Sequence, residues 1–175
     1  MIFLSGEISG TYVIEPERID DSRGFFARTF CRKEFEARSL NPQMAQCSIS
    51  FNARKGTLRG LHYQAAPQQE AKLVRCTRGA IYDVVLDLRP ESPTFRRWAV
   101  TGLTAENCRM TYIPEGVAHG FQTMVDATEV FYQMSEFYEE SCVRGVRWDD
   151  PAFAIKWPIE SPILSERDRS HPLWP

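Results

Sequence analysis

The sequence predicts an all-β protein, a sandwich or barrel built from many short strands. Runs of alternating polar and apolar residues recur along the chain, glycine- and proline-rich turns separate them, and there is little helix, Arg32 to Leu40 having the only convincing helical character in the first half. No internal repeat or low-complexity linker interrupts the 175 residues, and 43% hydrophobic side chains suffice for a core. One domain spanning residues 1–175 is the expectation.

The elements follow in order. Tyr12 to Glu15 is a short strand stopped by Pro16, and Asp20 to Phe30 combines a turn with an aromatic-rich strand around Phe25 and Phe26. After the helical segment, Gln46 to Phe51 alternates as a strand. Two more run over Gly56 to Gln64 and Gln69 to Cys76, parted by a Pro67 turn. Gly79 to Leu88, Phe95 to Thr101, Cys108 to Pro114, Glu115 to Thr123 and Thr128 to Ser135 continue the pattern. The tail from Trp148 to Asp168 is rich in proline and aromatic residues, and paired tryptophans do not lie loose on a surface, so it is expected to fold back across the barrel mouth.

Composition narrows the function. A formal charge of −2 disfavours a nucleic-acid binder working through a broad basic surface. Five widely spaced cysteines without a CxxC suggest neither a disulfide framework nor a zinc knuckle. No apolar run long enough for a membrane span occurs, and the start lacks the basic and apolar regions of a secretory signal. A cytoplasmic protein without membrane partners is the expectation.

The stretch richest in chemistry is Gly56-Thr57-Leu58-Arg59-Gly60-Leu61-His62-Tyr63-Gln64. Strand alternation places Leu58, Gly60, His62 and Gln64 on one face and Arg59, Leu61 and Tyr63 on the other, so His62 is expected to point into the barrel among small or apolar neighbours. A lone histidine is more often a hydrogen-bonded core residue than a catalyst. Here Lys72 and Arg75 follow closely, and a base beside cations suits an anionic substrate. The two other histidines, His119 and His171, do not supply the H-x-H spacing of a metal-dependent barrel, although a dispersed His62, His119 and Asp83 set stays open. G-x-S-x-G and glycine-rich phosphate loops are missing. What remains is acid–base chemistry without metal or cofactor: His62 removes a proton α to a ketone, Lys72 stabilises the enolate, and Tyr132 returns a proton from the opposite face. Tyr132 and Lys72 each have a plainer reading, as a core aromatic and a solvated strand lysine.

Taken together, Arg59-Gly60-Leu61-His62-Tyr63-Gln64, Lys72-Leu73-Val74-Arg75, Asp83 to Arg89, Ser92-Pro93-Thr94-Phe95 and Ile113 to Phe121 resemble the dTDP-4-dehydrorhamnose 3,5-epimerase family. The likeness runs from about Gly10 to Asp168 and includes Arg23-Gly24-Phe25-Phe26 and Trp148-Asp149-Asp150-Pro151. It implies a cupin-like jelly-roll barrel with a few short peripheral helices, a homodimer whose strands cross between subunits, and a nucleotide-diphosphate sugar substrate. By matching positions His62 is the base for C3 and C5 of a nucleotide-linked 4-keto-6-deoxyhexose, Asp168 orients it with Asp83 as a possible helper, Lys72 stabilises the enolate and Tyr132 is the acid. Arg23, Arg59 and Arg167 match phosphate-binding positions, Phe26 and Tyr138 surround nucleotide and sugar, and His119 is a secondary pocket histidine.

Three departures from the family pattern fall around substrate recognition. Arg28 stands where a glutamate contacts the base, Gln46-Cys47-Ser48 replaces Q-x-N, and Val143 replaces a glutamate. An arginine at residue 28 reverses the hydrogen-bonding sense there, so another base, or another sugar on the same base, stays open. A single-centre epimerase and a non-catalytic sugar-nucleotide binder are the further alternatives.

Overall fold

The computed structural model describes residues 1–175. Thirteen strands and two short helices follow one another as β1 (Ile2–Ser5), β2 (Tyr12–Glu15), β3 (Arg18–Asp21), β4 (Gly24–Ala27), α1 (Arg32–Glu36), β5 (Gln46–Asn52), β6 (Leu58–Gln64), β7 (Lys72–Arg78), β8 (Ala80–Asp87), β9 (Trp98–Thr104), β10 (Met110–Ile113), β11 (Val117–Thr123), β12 (Thr128–Met134), β13 (Val143–Gly145) and α2 (Glu166–Arg169). Two antiparallel sheets face each other, in the orders β1-β2-β10-β7-β12-β5 and β13-β6-β11-β8-β9, and β3-β4 forms a separate hairpin. This is the expected jelly roll.

Alternation explains how each sheet serves two layers. Val74, Cys76 and Val130 of the first sheet meet Ile81, Val85, Leu103, Val117 and Phe121 of the second in the interior. The opposite face of the six-stranded sheet, with Ile14, Leu73, Met110 and Tyr112, is covered by α1 through Phe35 and by Leu40. That helix is shorter than its sequence suggests, because the chain turns into the left-handed region at Ser39 (φ 56°).

The tail behaves differently from expectation. Phe153, Ile155, Trp157 and Trp174 lie on the outer face of the five-stranded sheet, against Leu61, Val84, Leu86 and Ala118. Two indoles fix its path, Trp98 donating to the Phe153 carbonyl and Trp157 to the Trp148 carbonyl. Asp168 on α2 and His171 just after it are the parts of the tail that reach His62. β1 and β3 are exposed along nearly their whole length, and β13 and α2 span three and four residues, so none of the four shows an alternating apolar pattern.

One departure from simple alternation shapes the interior. His119 pairs with His62 while Phe121 pairs with Arg59, so β6 spends one more residue than β11 between these points. The bulge brings Arg59 to the same face as His62 and sends Leu58 to the other, correcting the alternation read from the sequence. Gly60 makes it possible: its φ is +118°, and a Cβ there would stand 2.6 Å from the Gly120 Cα and 2.7 Å from the His119 carbonyl oxygen.

Candidate active site

His62 enters the barrel from β6 and meets a carboxylate from the far end of the chain. Its Nε2 lies 2.5 Å from Asp168 Oδ1, and Asp168 is 4% exposed. The short helix α2 aims this carboxylate: Ser165 caps it, its hydroxyl accepting from the Asp168 backbone N–H at 3.1 Å. Burial alone would raise the Asp168 carboxyl, but the hydrogen bond and charge of His62, with help from Ser165 and the Gly60 backbone, hold it below the usual carboxylate range. With Nε2–H donating to an ionised Asp168, Nδ1 is the ring nitrogen left to accept a proton.

A cation and a phenol share the cleft. Lys72 on β7 donates to the His62 carbonyl at 3.2 Å and lies 3.1 Å from Glu70 Oε1, both side chains 11% exposed. Tyr132 on β12 has a phenol pushed well up, first by burial and then by the Asp83 carboxylate, with Arg59 opposing. It therefore stays protonated at neutral pH, as an acid must. Arg59 is held by the Asn52 side-chain oxygen at 2.8 Å. His62, Lys72, Tyr132, Met134, Tyr138 and Arg167 are among the residues lining a cleft of about 220 Å³.

A second imidazole–carboxylate pair lies deeper. His119 Nε2 and Asp83 Oδ1 are 2.6 Å apart and both nearly inaccessible, with the His119 ring edge-on to Tyr132 at 6.0 Å. Asp83 therefore serves His119 and not His62, which corrects the helper role considered from the sequence. It also divides the dispersed His62, His119 and Asp83 set between two separate pairs.

Comparison with known proteins adds a family. The family model for dTDP-4-dehydrorhamnose 3,5-epimerase matches residues 5–175. The chain belongs to the dTDP-4-dehydrorhamnose 3,5-epimerase family. It is 42% identical over 169 residues to the dTDP-4-dehydrorhamnose 3,5-epimerase of Shigella flexneri, covering 96% of this chain and 93% of that protein. The crystal structure of the Bacillus anthracis enzyme of that name, with TDP and PPi bound, superposes with a TM-score of 0.95 at 40% identity and 99% coverage of both chains. A dTDP-4-dehydrorhamnose 3-epimerase of Streptomyces niveus is 39% identical, covering 93% of this chain and 78% of its own.

This epimerase brings together most of the residues singled out in its sequence. His62, Lys72, Tyr132, Asp168, Arg59, Tyr138 and Arg167 converge on or beside the cleft. Ser48 pairs with Tyr132 and Gln46 with Met134 in the β5–β12 register, and the Gln46 side chain accepts from the Tyr138 N–H at 2.5 Å. Val143 lines the cleft as well. Arg23, Phe26 and Arg28 do not join them within one chain. Arg23 and Phe26 ride the β3–β4 hairpin and Arg28 directly follows it, with Arg23 bound to Asp21 at 2.6 Å, Phe26 69% exposed, and Arg28 3.7 Å from Glu34.

Glu70, Met134 and His171 were not singled out in the sequence. Glu70 precedes Lys72 by two residues, the spacing that puts neighbours on one side of an extended chain, and that signal was legible. His171 had none, since the fold of the tail decides where it lands.

Proposed function

We propose that this epimerase inverts C3 and C5 of a dTDP-linked 4-keto-6-deoxyhexose in deoxysugar biosynthesis. The observation that carries the reading is the 2.5 Å contact of His62 with a buried Asp168, in a cleft shared with Lys72 and a protonated Tyr132. The 4-keto group makes hydrogens on both flanking carbons acidic. His62 Nδ1 takes one as a proton, and the C–H electron pair moves into an enolate whose oxygen is stabilised by the Lys72 ammonium. Asp168 supports the imidazolium that forms. Tyr132 gives its phenolic proton to the opposite face of the carbon, inverting it, and both groups reset through solvent. The second carbon repeats the cycle.

Recognition of the nucleotide diphosphate falls to guanidinium groups. Arg59 and Arg167 of the same chain offer bidentate donors. Arg23, Phe26 and Arg28 reach a cleft only across a subunit boundary. The β3–β4 hairpin and the open edge strand β5 both present bare apolar surface, Ile19 and Phe26 each 69% exposed and Ile49 and Phe51 62% and 52%. A homodimer whose hairpin completes the partner's cleft explains this surface. The cytoplasm, where nucleotide sugars are made, is the compartment this reading requires.

The test is incubation with dTDP-4-keto-6-deoxyglucose in heavy water followed by NMR. Deuterium at both C3 and C5 with inverted configuration is expected. Label at one carbon would make it a single-centre enzyme, and no label would leave only a sugar-nucleotide binder.

A further inference from the structure

Beside the His62–Asp168 pair sits a group that the proposed reaction does not use. His171 places its ring edge-on to His62, with centroids 5.7 Å apart and planes at 69°. Its Nε2 lies 4.0 Å from Asp168 Oδ1, is shut off from solvent and has no hydrogen-bond partner. Gly145 makes the room: a Cβ there would lie 2.0 Å from His171 Cε1, and Gly145 is the register partner of His62. A buried ring nitrogen without a partner is destabilising by itself, so the neighbours it faces carry the explanation.

Those neighbours complete a donor set. One ligand atom each from His62, Asp168 and His171 lie within 4.8 Å of one another. We propose that these three residues form a binding site for a divalent cation of the zinc type, and that its occupancy silences the catalytic base. Two imidazoles and one carboxylate suit zinc, whereas magnesium and calcium prefer oxygen donors alone. Metal–ligand bonds of about 2 Å at tetrahedral angles set ligand atoms roughly 3.3 Å apart, between the 2.5 Å and 4.0 Å that separate Asp168 Oδ1 from the two imidazole nitrogens.

Inhibition follows from the tautomer. Coordination through His62 Nε2 requires the lone pair on that nitrogen, so the proton it carried moves to Nδ1, the nitrogen that would otherwise accept the substrate's proton. No proton is gained or lost overall and nothing is oxidised. This inhibitory half rests on His62 acting as the base; the cation site does not.

The experiment titrates the purified full chain with zinc chloride by calorimetry and follows solvent-deuterium exchange into the 4-keto sugar in parallel. Wild-type protein should bind one zinc per chain and lose exchange as the site fills, with EDTA restoring it. His171→Ala and His171→Gln should each weaken zinc binding by about tenfold or more while keeping the zinc-free exchange rate, and circular dichroism checks that both are folded. Absence of zinc binding, or equal affinity in folded His171 variants, overturns the site. Zinc bound through His171 with undiminished exchange overturns the inhibition alone. A zinc-free wild type that never exchanges sinks the epimerase reading and the inhibition with it, while His171-dependent zinc binding would still uphold the site.

Discussion

Gly60 crosses Gly120 so closely that a Cβ on Gly60 would stand 2.6 Å from the Gly120 Cα. The contact lies inside the β6 bulge that turns Arg59 and His62 toward the same interior. Gly60→Ala must both adopt a positive φ and push β11 away. A loss of about 3 kcal/mol is expected, measured by denaturant unfolding, together with reduced epimerase activity in the fraction that stays folded. Wild-type-like stability and activity would show that the bulge does not position the base.

The His62–Asp168 pair separates two kinds of loss. His62→Ala removes the base, and exchange at both carbons should fall on the order of 100-fold or more. Asp168→Asn keeps a hydrogen-bond acceptor for Nε2–H but removes the charge that favours the imidazolium. Its kcat should drop by a similar order with KM little changed, because asparagine keeps the size of the side chain and the Ser165 cap on the backbone N–H, leaving Arg59 and Arg167 free to bind the nucleotide diphosphate. Equal damage to KM would point to general disruption of α2.

Tyr132→Phe keeps the ring that sits edge-on to His119 but removes the proton it is proposed to donate. Proton removal by His62 should continue, seen as deuterium entering without inversion. Inversion should be lost at one centre at least. If both exchange and inversion survive, another acid serves the far face.

Asp87 predicts an acid limb of stability. Burial opposes its ionisation, but hydrogen bonds from Arg89, Ser92 and Thr94 overcome it and hold its carboxyl at about 2, below the ordinary value of 3.8. A folded value below the unfolded one stabilises the protein fully above the unfolded value, and the gain is lost as pH falls toward the folded one. Asp87→Asn should therefore cost roughly 2 kcal/mol near neutral pH and almost nothing near pH 2, compared with wild type by urea titration at each pH. A pH-independent cost would assign the effect to lost hydrogen bonds alone.

The bare apolar surface on β5 predicts assembly. Ile49→Asp with Phe51→Asp puts charges on an edge strand whose side chains are more than half exposed in one chain. Sedimentation should shift from dimer to monomer, and activity should fall because the hairpin residues Arg23 and Phe26 no longer reach a neighbour's cleft. A monomeric wild type would refute the shared-site reading.

Much of this is legible in the sequence. Strand periodicity and turn residues specify the all-β architecture, since alternation is a local property of the chain, and the segments carrying His62, Lys72 and Tyr132 announce themselves by polarity within apolar strands. Three matters lay outside local pattern. Strand alternation misplaced Arg59, because a bulge depends on how two glycines from different strands meet. Asp83 lay within the expected partners of His62, yet cross-sheet geometry gives it to His119. His171 carried no signal in its own neighbourhood, because nothing but the path of the tail over the outer sheet brings it beside His62. Local pattern settles that a segment is a strand, and which way its side chains face wherever no bulge intervenes; bulges and neighbours depend on residues far along the chain, and only folding chooses them.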